Sequence, residues 1–411
     1  MKQSKKIMFK KSISIIKKNS FSPFSMLPFP DESFFQSPVI KRGKGPYLYD
    51  YDENRYVDFF LGDGSLLLGH AHPGITKVVK SWLGRGYSQG YPNAAKRLLV
   101  AHLRSFFGAG KDTTIPDAGR WCFFDSAYEA SASLLTILNC SGSHGRGCYI
   151  TCWDGKRVSP FFRPYIGSIL VPLSMDDVKP ERLEGYGYFI LRCGRLSEKN
   201  SFNRLVGMLK DRGKPVVSDE SNFPSHVHLS KQIESPVILD ARFFGSWLCG
   251  GLSFGCFLCR ESLFSAFLEN EKMRQKKMSG PENYDTTNGL TFLESLHNVA
   301  GLPPLFRVKA ALRFLQLFKK SDGVEGLSGL NRYFFSLLDT RYFELIDDIV
   351  YLKNGIFSAE GFMELRHLML ERGLYVPISL HEPFSISLAH DYKLLSKCAA
   401  LVNSITDSMG I

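Results

Sequence analysis

The sequence predicts an α/β fold, with a large domain on a mostly parallel sheet and a smaller α+β domain at the end of the chain. Two features carry that expectation. Short, largely apolar runs recur between stretches long enough for a helix: Trp121-Cys122-Phe123-Phe124, Cys148-Tyr149-Ile150, Ser168-Ile169-Leu170-Val171, Gly187-Tyr188-Phe189-Ile190-Leu191, Pro215-Val216-Val217-Ser218 and Pro236-Val237-Ile238-Leu239. Strands covered by helices on both faces are apolar throughout instead of alternating, which is the pattern of a parallel sheet. From about Ser321 the texture changes, with helical patterns over residues 333–345 and 359–372 and strand-like patterns at Leu374-Tyr375-Val376 and Phe384-Ser385-Ile386-Ser387. At 411 residues, 44% hydrophobic and 22% charged, the chain can bury a core large enough for two domains.

Taken in order, residues 1–37 read as a basic tail and a connecting segment. The first twenty hold seven lysines and no acid, and residues 22–36 are rich in Pro, Ser and Phe with no helical period. Residues 38–70 follow as a hairpin segment. Gly45-Pro46-Tyr47-Leu48-Tyr49-Asp50 and Arg55-Tyr56-Val57-Asp58-Phe59 alternate apolar and polar residues about an Asp52-Glu53-Asn54 turn. Leu66-Leu67-Leu68-Gly69-His70-Ala71-His72-Pro73 then reads as the close of a strand and the opening of a helix, with Pro73 in its first turn and Ile75, Val78, Val79 and Trp82 at helical spacing. The large α/β domain is expected over 71–320 and the small one over 321–411.

Composition excludes several classes. The longest charge-free window of the apolar middle, residues 243–259, is 17 residues long and holds four glycines, so no transmembrane segment is expected. Nine cysteines without a secretory leader suit core thiols in a cytoplasmic protein. The pairs Cys148/Cys152 and Cys256/Cys259 have unlike spacings and no following His pair, and His226/His228 stands alone, so no metal site is expected. The net charge of +11 falls to +4 once the tail's seven lysines are set aside, which argues against a nucleic-acid partner.

Several segments together resemble the class III aminotransferases, of pyridoxal-phosphate (PLP) fold type I, and most closely the glutamate-1-semialdehyde aminomutases. Lys44-Gly45-Pro46-Tyr47-Leu48-Tyr49-Asp50 with Asn54-Arg55-Tyr56-Val57-Asp58 is similar to the family's hairpin. Leu68-Gly69-His70-Ala71-His72-Pro73 is similar to its Gly-His-x-His-Pro helix start. Near the end, Glu371-Arg372-Gly373-Leu374-Tyr375-Val376-Pro377 and Phe384-Ser385-Ile386-Ser387-Leu388-Ala389-His390 resemble the aminomutases' terminal blocks. The resemblance covers roughly residues 38–260 and 360–392. It implies a PLP or pyridoxamine-phosphate (PMP) cofactor, a homodimer, a small amino-aldehyde ligand, and the conversion of glutamate-1-semialdehyde to 5-aminolevulinate for porphyrin biosynthesis.

Carried over residue by residue, the resemblance assigns the cofactor pocket to Ser126, Ala127, Tyr128, Trp153 and Asp219. Ser126-Ala127-Tyr128-Glu129-Ala130 stands where the family has its phosphate-binding Ser-Gly-Thr-Glu-Ala turn, with a bulkier residue at two places. Trp153-Asp154-Gly155 stands at the Tyr-His-Gly segment whose aromatic stacks on the pyridine ring. Asp219-Glu220 follows a strand as the carboxylate that pairs with the pyridine nitrogen does.

The departure with the largest chemical consequence falls in the Gly-Lys-x-x-Gly-Gly-Gly-Leu-Pro-x-Gly loop. This chain reads Gly245-Ser246-Trp247-Leu248-Cys249-Gly250-Gly251-Leu252-Ser253-Phe254-Gly255, with Ser246 at the lysine. A hydroxyl cannot form the imine that holds the family's cofactor, nor serve as the amine base. The substrate-binding Ser-Trp-Gly-Pro segment is replaced by Gly62-Asp63-Gly64-Ser65, a family glutamate by Ala94, and the Thr-x-x-x-Asn-Pro-Leu segment is not recovered, Pro303-Pro304-Leu305 resembling only its end. Three readings follow: an aminomutase-like protein of impaired catalysis without covalent cofactor, a pseudoenzyme that acts as a dimeric ligand-binding or interaction protein, or a divergent enzyme that uses the same pocket for different chemistry.

Overall fold

The computed structural model describes residues 38–86, 94–107, 119–140, 145–151, 158–174, 177–192, 199–221, 239–279, 303–346, 348–353 and 355–409. They fall into two compact units, one joining Met1–Pro73 to Asp322–Ile411 and the other Gly74–Ser321. The hairpin segment thus groups with the terminal residues.

The first unit begins with three antiparallel strands, β1 (Ile40–Lys44), β2 (Tyr47–Asp50) and β3 (Arg55–Asp58). The turn between β2 and β3 is organised by the Asp50 carboxylate. It accepts the backbone N–H of Asp52 (2.9 Å) and Asn54 (2.8 Å), the Asn54 amide (2.9 Å) and the Tyr56 hydroxyl (2.8 Å). An aspartate that bonds to the backbone two residues on is turn chemistry readable in the sequence. The strand expected over 66–70 is not formed, and His70 makes one isolated bridge to Gly45. The cause is Gly69, whose φ of +81° breaks the strand; a Cβ there would come within 2.6 Å of the Ala389 methyl and 2.9 Å of the Gly45 carbonyl.

The second unit opens with α1 (Pro73–Leu83) and α2 (Ala94–Phe106). Strand β4 (Gly119–Phe124) leads to α3 (Ala127–Cys140), followed by β5 (Gly147–Thr151), β6 (Leu170–Ser174), β7 (Tyr188–Arg192), α4 (Lys199–Lys210), β8 (Val216–Glu220) and β9 (Ala241–Phe244). Strand β10 (Gly255–Arg260), α5 (Glu261–Ser279) and α6 (Leu305–Lys320) complete it. The seven strands form one sheet in the order β4-β10-β9-β8-β7-β5-β6, parallel from β9 to β6, with β10 antiparallel to both neighbours.

Alternate residues feed opposite faces of this sheet. Tyr149, Ile190, Val217 and Phe243 pack with Leu134 and Leu138 of α3 and Phe264 and Phe267 of α5. Cys148, Ile150, Phe189, Leu191 and Val216 pack with Leu205, Val206 and Leu209 of α4. Covered faces explain why these strands carry no alternation. Most of the apolar run at 236–239 lies outside the described residues, and the strand of that region is β9. Cys256 and Cys259, three residues apart on β10, point to opposite faces and cannot share a ligand. Among the described residues no three His, Cys, Asp or Glu side chains gather as a metal site; Cys152, His226 and His228 lie outside them. No described helix is long and apolar enough to cross a membrane.

The chain returns to the first unit through α7 (Gly323–Leu337), β11 (Phe343–Ile346), β12 (Ile349–Leu352), α8 (Ala359–Glu371), β13 (Leu374–Tyr375) and α9 (Tyr392–Ser408). The helix expected over 333–345 is cut at Leu337, because Asp339 turns the chain. Its carboxylate accepts from the Arg341 N–H at 2.8 Å and its carbonyl from the Tyr342 N–H at 3.1 Å, after which 343–346 is a strand. Residues 384–387 make one bridge, Phe384 to Val350, and no strand. Strand β13 pairs in parallel with β3.

Here the two family-like blocks at opposite ends of the sequence meet. Ser385 N–H donates to the Phe59 carbonyl (2.7 Å) and Leu388 N–H to that of Leu67 (2.8 Å), while His390 lies 5.5 Å from the Phe59 ring. Buried Asp58 accepts from the N–H groups of Phe60 (2.9 Å) and Leu61 (3.1 Å) and bonds His70 Nε2 at 2.6 Å. Burial pushes the His390 imidazole down to about 4.

Candidate functional site

The register brings three of the site residues to one edge of the sheet. Ser126 follows β4, Asp219 lies near the end of β8, and Ser246 follows β9; β4, β8 and β9 run the same way, so all three stand at carboxyl ends. In open α/β sheets that edge is where ligands bind. Two glycines permit the close packing there. A Cβ at Gly245 would come within 2.4 Å of the Ser221 carbonyl, and one at Gly255 within 2.5 Å of the Ala127 Cα.

At the first position Ser126 caps α3. Its Oγ accepts the Glu129 N–H at 3.2 Å, and the Glu129 carboxylate accepts the Asp125 N–H at 3.2 Å, a variant of the reciprocal capping box. The Ser-x-x-Glu spacing made this legible in the sequence. Ala127 is buried against Gly255. Tyr128 is half exposed, its ring edge-on to Phe161 at 5.1 Å. Beside the helix start, Arg307 donates to the Asp125 carbonyl at 2.7 Å and lies 3.3 Å from its carboxylate, and Ser253 donates to the same carbonyl at 2.7 Å. Burial lowers the Lys96 ammonium, against an opposing pull from Asp125.

Asp219 is 3% exposed. One of its oxygens accepts the Tyr149 hydroxyl at 2.5 Å and the other the Ser221 N–H at 3.0 Å. Tyr149 is fully buried, its hydroxyl also accepts the Ser159 N–H at 3.2 Å, and Ser159 and Ser221 share a hydroxyl contact at 2.9 Å. Burial, and then the charge of Asp219, raise the Tyr149 phenol well above its usual value, so it stays protonated and donates. The sequence showed Tyr149 only as a core aromatic; nothing local marks it as a partner of a carboxylate 70 residues away. On the other face of β8, Arg242 holds Glu220 with two bonds of 2.6 Å, both side chains buried.

Ser246 opens a single 3-10 turn, Ser246–Cys249, and its hydroxyl donates to the Phe254 carbonyl at 3.3 Å. The next residue, Trp247, is fully buried and donates to the Glu220 carbonyl at 3.1 Å. Asp63 belongs to the first unit, in a left-handed turn where Leu61, Gly62, Asp63 and Gly64 all have positive φ. Ala94 is exposed at the start of α2, and Pro304 caps the start of α6. Trp153 lies outside the described residues.

A PLP-type cofactor meets this donor set unevenly. A carboxylate has about four acceptor sites, so Asp219 retains capacity for a pyridinium N–H beside its two present partners. The N-terminus of α3 presents backbone N–H groups suited to an anion. For covalent attachment there is no amine anywhere in residues 243–259, and Ser246 presents only a hydroxyl.

The seven-stranded sheet with its site at the carboxyl edge is the architecture of PLP-dependent transferases of fold type I. Superposition gives a TM-score of 0.72 with an omega-transaminase from Sphaerobacter thermophilus (14% identity, 98% of each chain). It gives 0.69 with the PMP-bound form of an aminotransferase from Vibrio fluvialis (14% identity, 94% of this chain and 96% of that one). In sequence the chain is similar to the glutamate-1-semialdehyde 2,1-aminomutases. It is 26% identical over 385 residues to that protein of Alkaliphilus metalliredigens, covering 86% of this chain and 85% of the other, and 23% identical over 383 residues to that of Sulfurihydrogenibium sp. (86% and 87%). A glutamate-1-semialdehyde aminomutase from Pseudomonas aeruginosa superposes at a TM-score of 0.71 with 14% identity, covering 98% of this chain and 97% of that one. No family model matches the chain.

Proposed function

We propose that this protein is an aminomutase-like member of the class III aminotransferase lineage that binds any PLP-type ligand without a covalent bond and does not turn over glutamate-1-semialdehyde efficiently. The observation that carries the proposal is Ser246, a hydroxyl bonded to the Phe254 carbonyl in a stretch without an amine. When bound, the cofactor supplies an electron-withdrawing ring and, in its amine form, the amino group. Asp219 would hold a proton at the pyridine nitrogen, with Tyr149 fixing its orientation, and Ser126 with the start of α3 would face the phosphate. No group at position 246 can take up or deliver the substrate proton, and losing a general base costs roughly 10²–10⁴-fold in rate.

The second reading, a dimeric pseudoenzyme that binds a ligand or partner, draws support from the same residues, since each is already satisfied within the chain. The test compares wild type with Ser246→Lys in the presence of added PLP: absorbance, borohydride trapping, and conversion of the semialdehyde. Wild type is expected to trap no cofactor and to show little or no conversion. Ser246→Lys is expected to trap cofactor without reaching full activity, because groups that act as a unit are not restored one at a time. Robust wild-type turnover overturns the proposal.

A homodimer is part of it, with light scattering expected at twice the 46.4 kDa chain mass. The hairpin's rings are a smaller apolar surface than their number suggests, since Arg42 covers Tyr49 at 3.5 Å and Arg55 covers Tyr47 at 4.7 Å. A clean monomer refutes the dimer.

A further inference from the structure

The near-balanced charge of the body conceals a strong segregation. Helix α1 carries two lysines, α2 three lysines and arginines, and α6 five, and none of the three contains an Asp or Glu. Residues 21–411 total +4, so the rest of that body is net −6. The three helices also adjoin one another. Lys309 of α6 lies over the Trp82 ring of α1 at 4.6 Å, and Lys319 reaches Ser105 of α2 at 3.5 Å. Lys77, Lys80, Arg97, Arg104, Lys319 and Lys320 are exposed.

Between α2 and α6 runs a groove of about 480 Å³, lined by Leu98, Ala101, His102, Phe106, Leu315 and Lys319 among others. Leu98 is 51% exposed and puts an apolar side chain among these cations. The floor is built on Phe106, which packs on Trp247 (6.4 Å between ring centroids) and on Phe318 (6.2 Å).

We propose that the α2–α6 groove docks an acidic amphipathic helix of a protein partner, apolar side chains in the groove and carboxylates against the surrounding lysines and arginines. Charge complementarity selects the occupant. The chain's own N-terminal tail is basic and is repelled, and a second copy seated symmetrically would set this cationic face against itself. Single-stranded nucleic acid needs open aromatic faces for its bases. Here Trp82 is covered by Arg85 (5.1 Å) and Lys309, and Phe106 is packed from below. An anionic bilayer reads a protruding apolar surface, whereas this one is concave. A helix laid in a groove uses apolar anchors at i, i+3, i+4 and i+7, which is what a cleft walled by two helices accepts.

The test is fluorescence anisotropy with the full chain and a labelled 20-residue peptide that has Leu at i, i+3, i+4 and i+7 and Glu on the opposite face. The comparison ligands are a scrambled peptide of the same composition, a 20-nucleotide single-stranded RNA and phosphatidylserine vesicles. The amphipathic peptide is expected to bind most tightly and to weaken as salt rises. Leu98→Asp is expected to weaken it roughly tenfold, as loss of one buried leucine contact should. Lys319→Glu with Lys320→Glu should do so to a similar degree, and Lys179→Glu, elsewhere on the surface, should leave binding unchanged. Circular dichroism establishes that each variant is folded. Equal binding of the scrambled peptide, tighter binding of RNA or vesicles, indifference to Leu98→Asp, or equal weakening by Lys179→Glu overturns the proposal.

Discussion

The cluster around Asp58 in the first unit and the carboxyl edge of the sheet in the second both contain residues of the aminomutase-like blocks, and they use them differently. Around Asp58 the polar groups tie distant parts of the chain together. Asp58 secures the backbone at Phe60 and Leu61 and the His70 ring, and residues 385–390 bond back to Phe59 and Leu67. At the sheet edge the residues aligned with cofactor contacts already have partners within the chain: Ser126 the Glu129 N–H, Asp219 the Ser221 N–H and the Tyr149 hydroxyl 70 residues away, Ser246 the Phe254 carbonyl. The blocks around Asp58 form a structural cluster, while each edge residue aligned with a cofactor contact already has a partner within the chain. A family motif that survives in sequence is therefore informative about folding first and about chemistry only after its bonds are known.

The largest expected effect tests how structural the sheet edge has become. Arg242→Ala removes both guanidinium bonds and the opposite charge from the buried Glu220 carboxylate, which keeps the Ser218 hydroxyl, and is expected to cost about 3–5 kcal/mol in urea denaturation. A loss below about 1 kcal/mol would show that water reaches Glu220 and that the edge is open.

The Asp58 cluster is probed by pH. With the folded His390 imidazole at about 4 and its ordinary value at 6.5, the unfolded chain binds the extra proton between those values. The stability this histidine lends is present above pH 6.5 and is lost as pH falls towards about 4, a change of roughly 3 kcal/mol. His390→Asn is expected to flatten that part of the stability–pH profile relative to wild type. An unchanged slope would mean that the ring is solvated.

A smaller effect is expected from Tyr149→Phe, about 1–3 kcal/mol for a hydrogen bond to a buried carboxylate. If Tyr149 instead orients Asp219 for a ligand, the same variant should bind added PMP more weakly at little cost in stability, which reverses the comparison at this residue. Least perturbing is thiol labelling of the native protein. Burial pushes Cys122, Cys148, Cys249 and Cys398 up to about 12, so these four should resist a thiolate-selective reagent until the chain unfolds. Rapid labelling of Cys249 would show that the turn after Ser246 opens.

The sequence by itself determined the α/β class, because strands buried on both faces must be apolar throughout, as in Tyr188-Phe189-Ile190-Leu191, and because the Asp50 turn and the first-turn Pro73 act within a few residues. It also contained the site's main chemical fact, the hydroxyl at Ser246. Only the tertiary structure decided that β10, which begins in a glycine-rich charge-free window, runs against its neighbours, and that Asp339 ends a helical period which apolar spacing would continue. Tyr149 as the partner of Asp219, and the gathering of α1, α2 and α6 into one cationic face, were likewise decided there. Periodicity and turn chemistry are local and can be read along a chain. The partner of a buried carboxylate and the sign of a surface depend on which segments the strand order and helix packing place side by side.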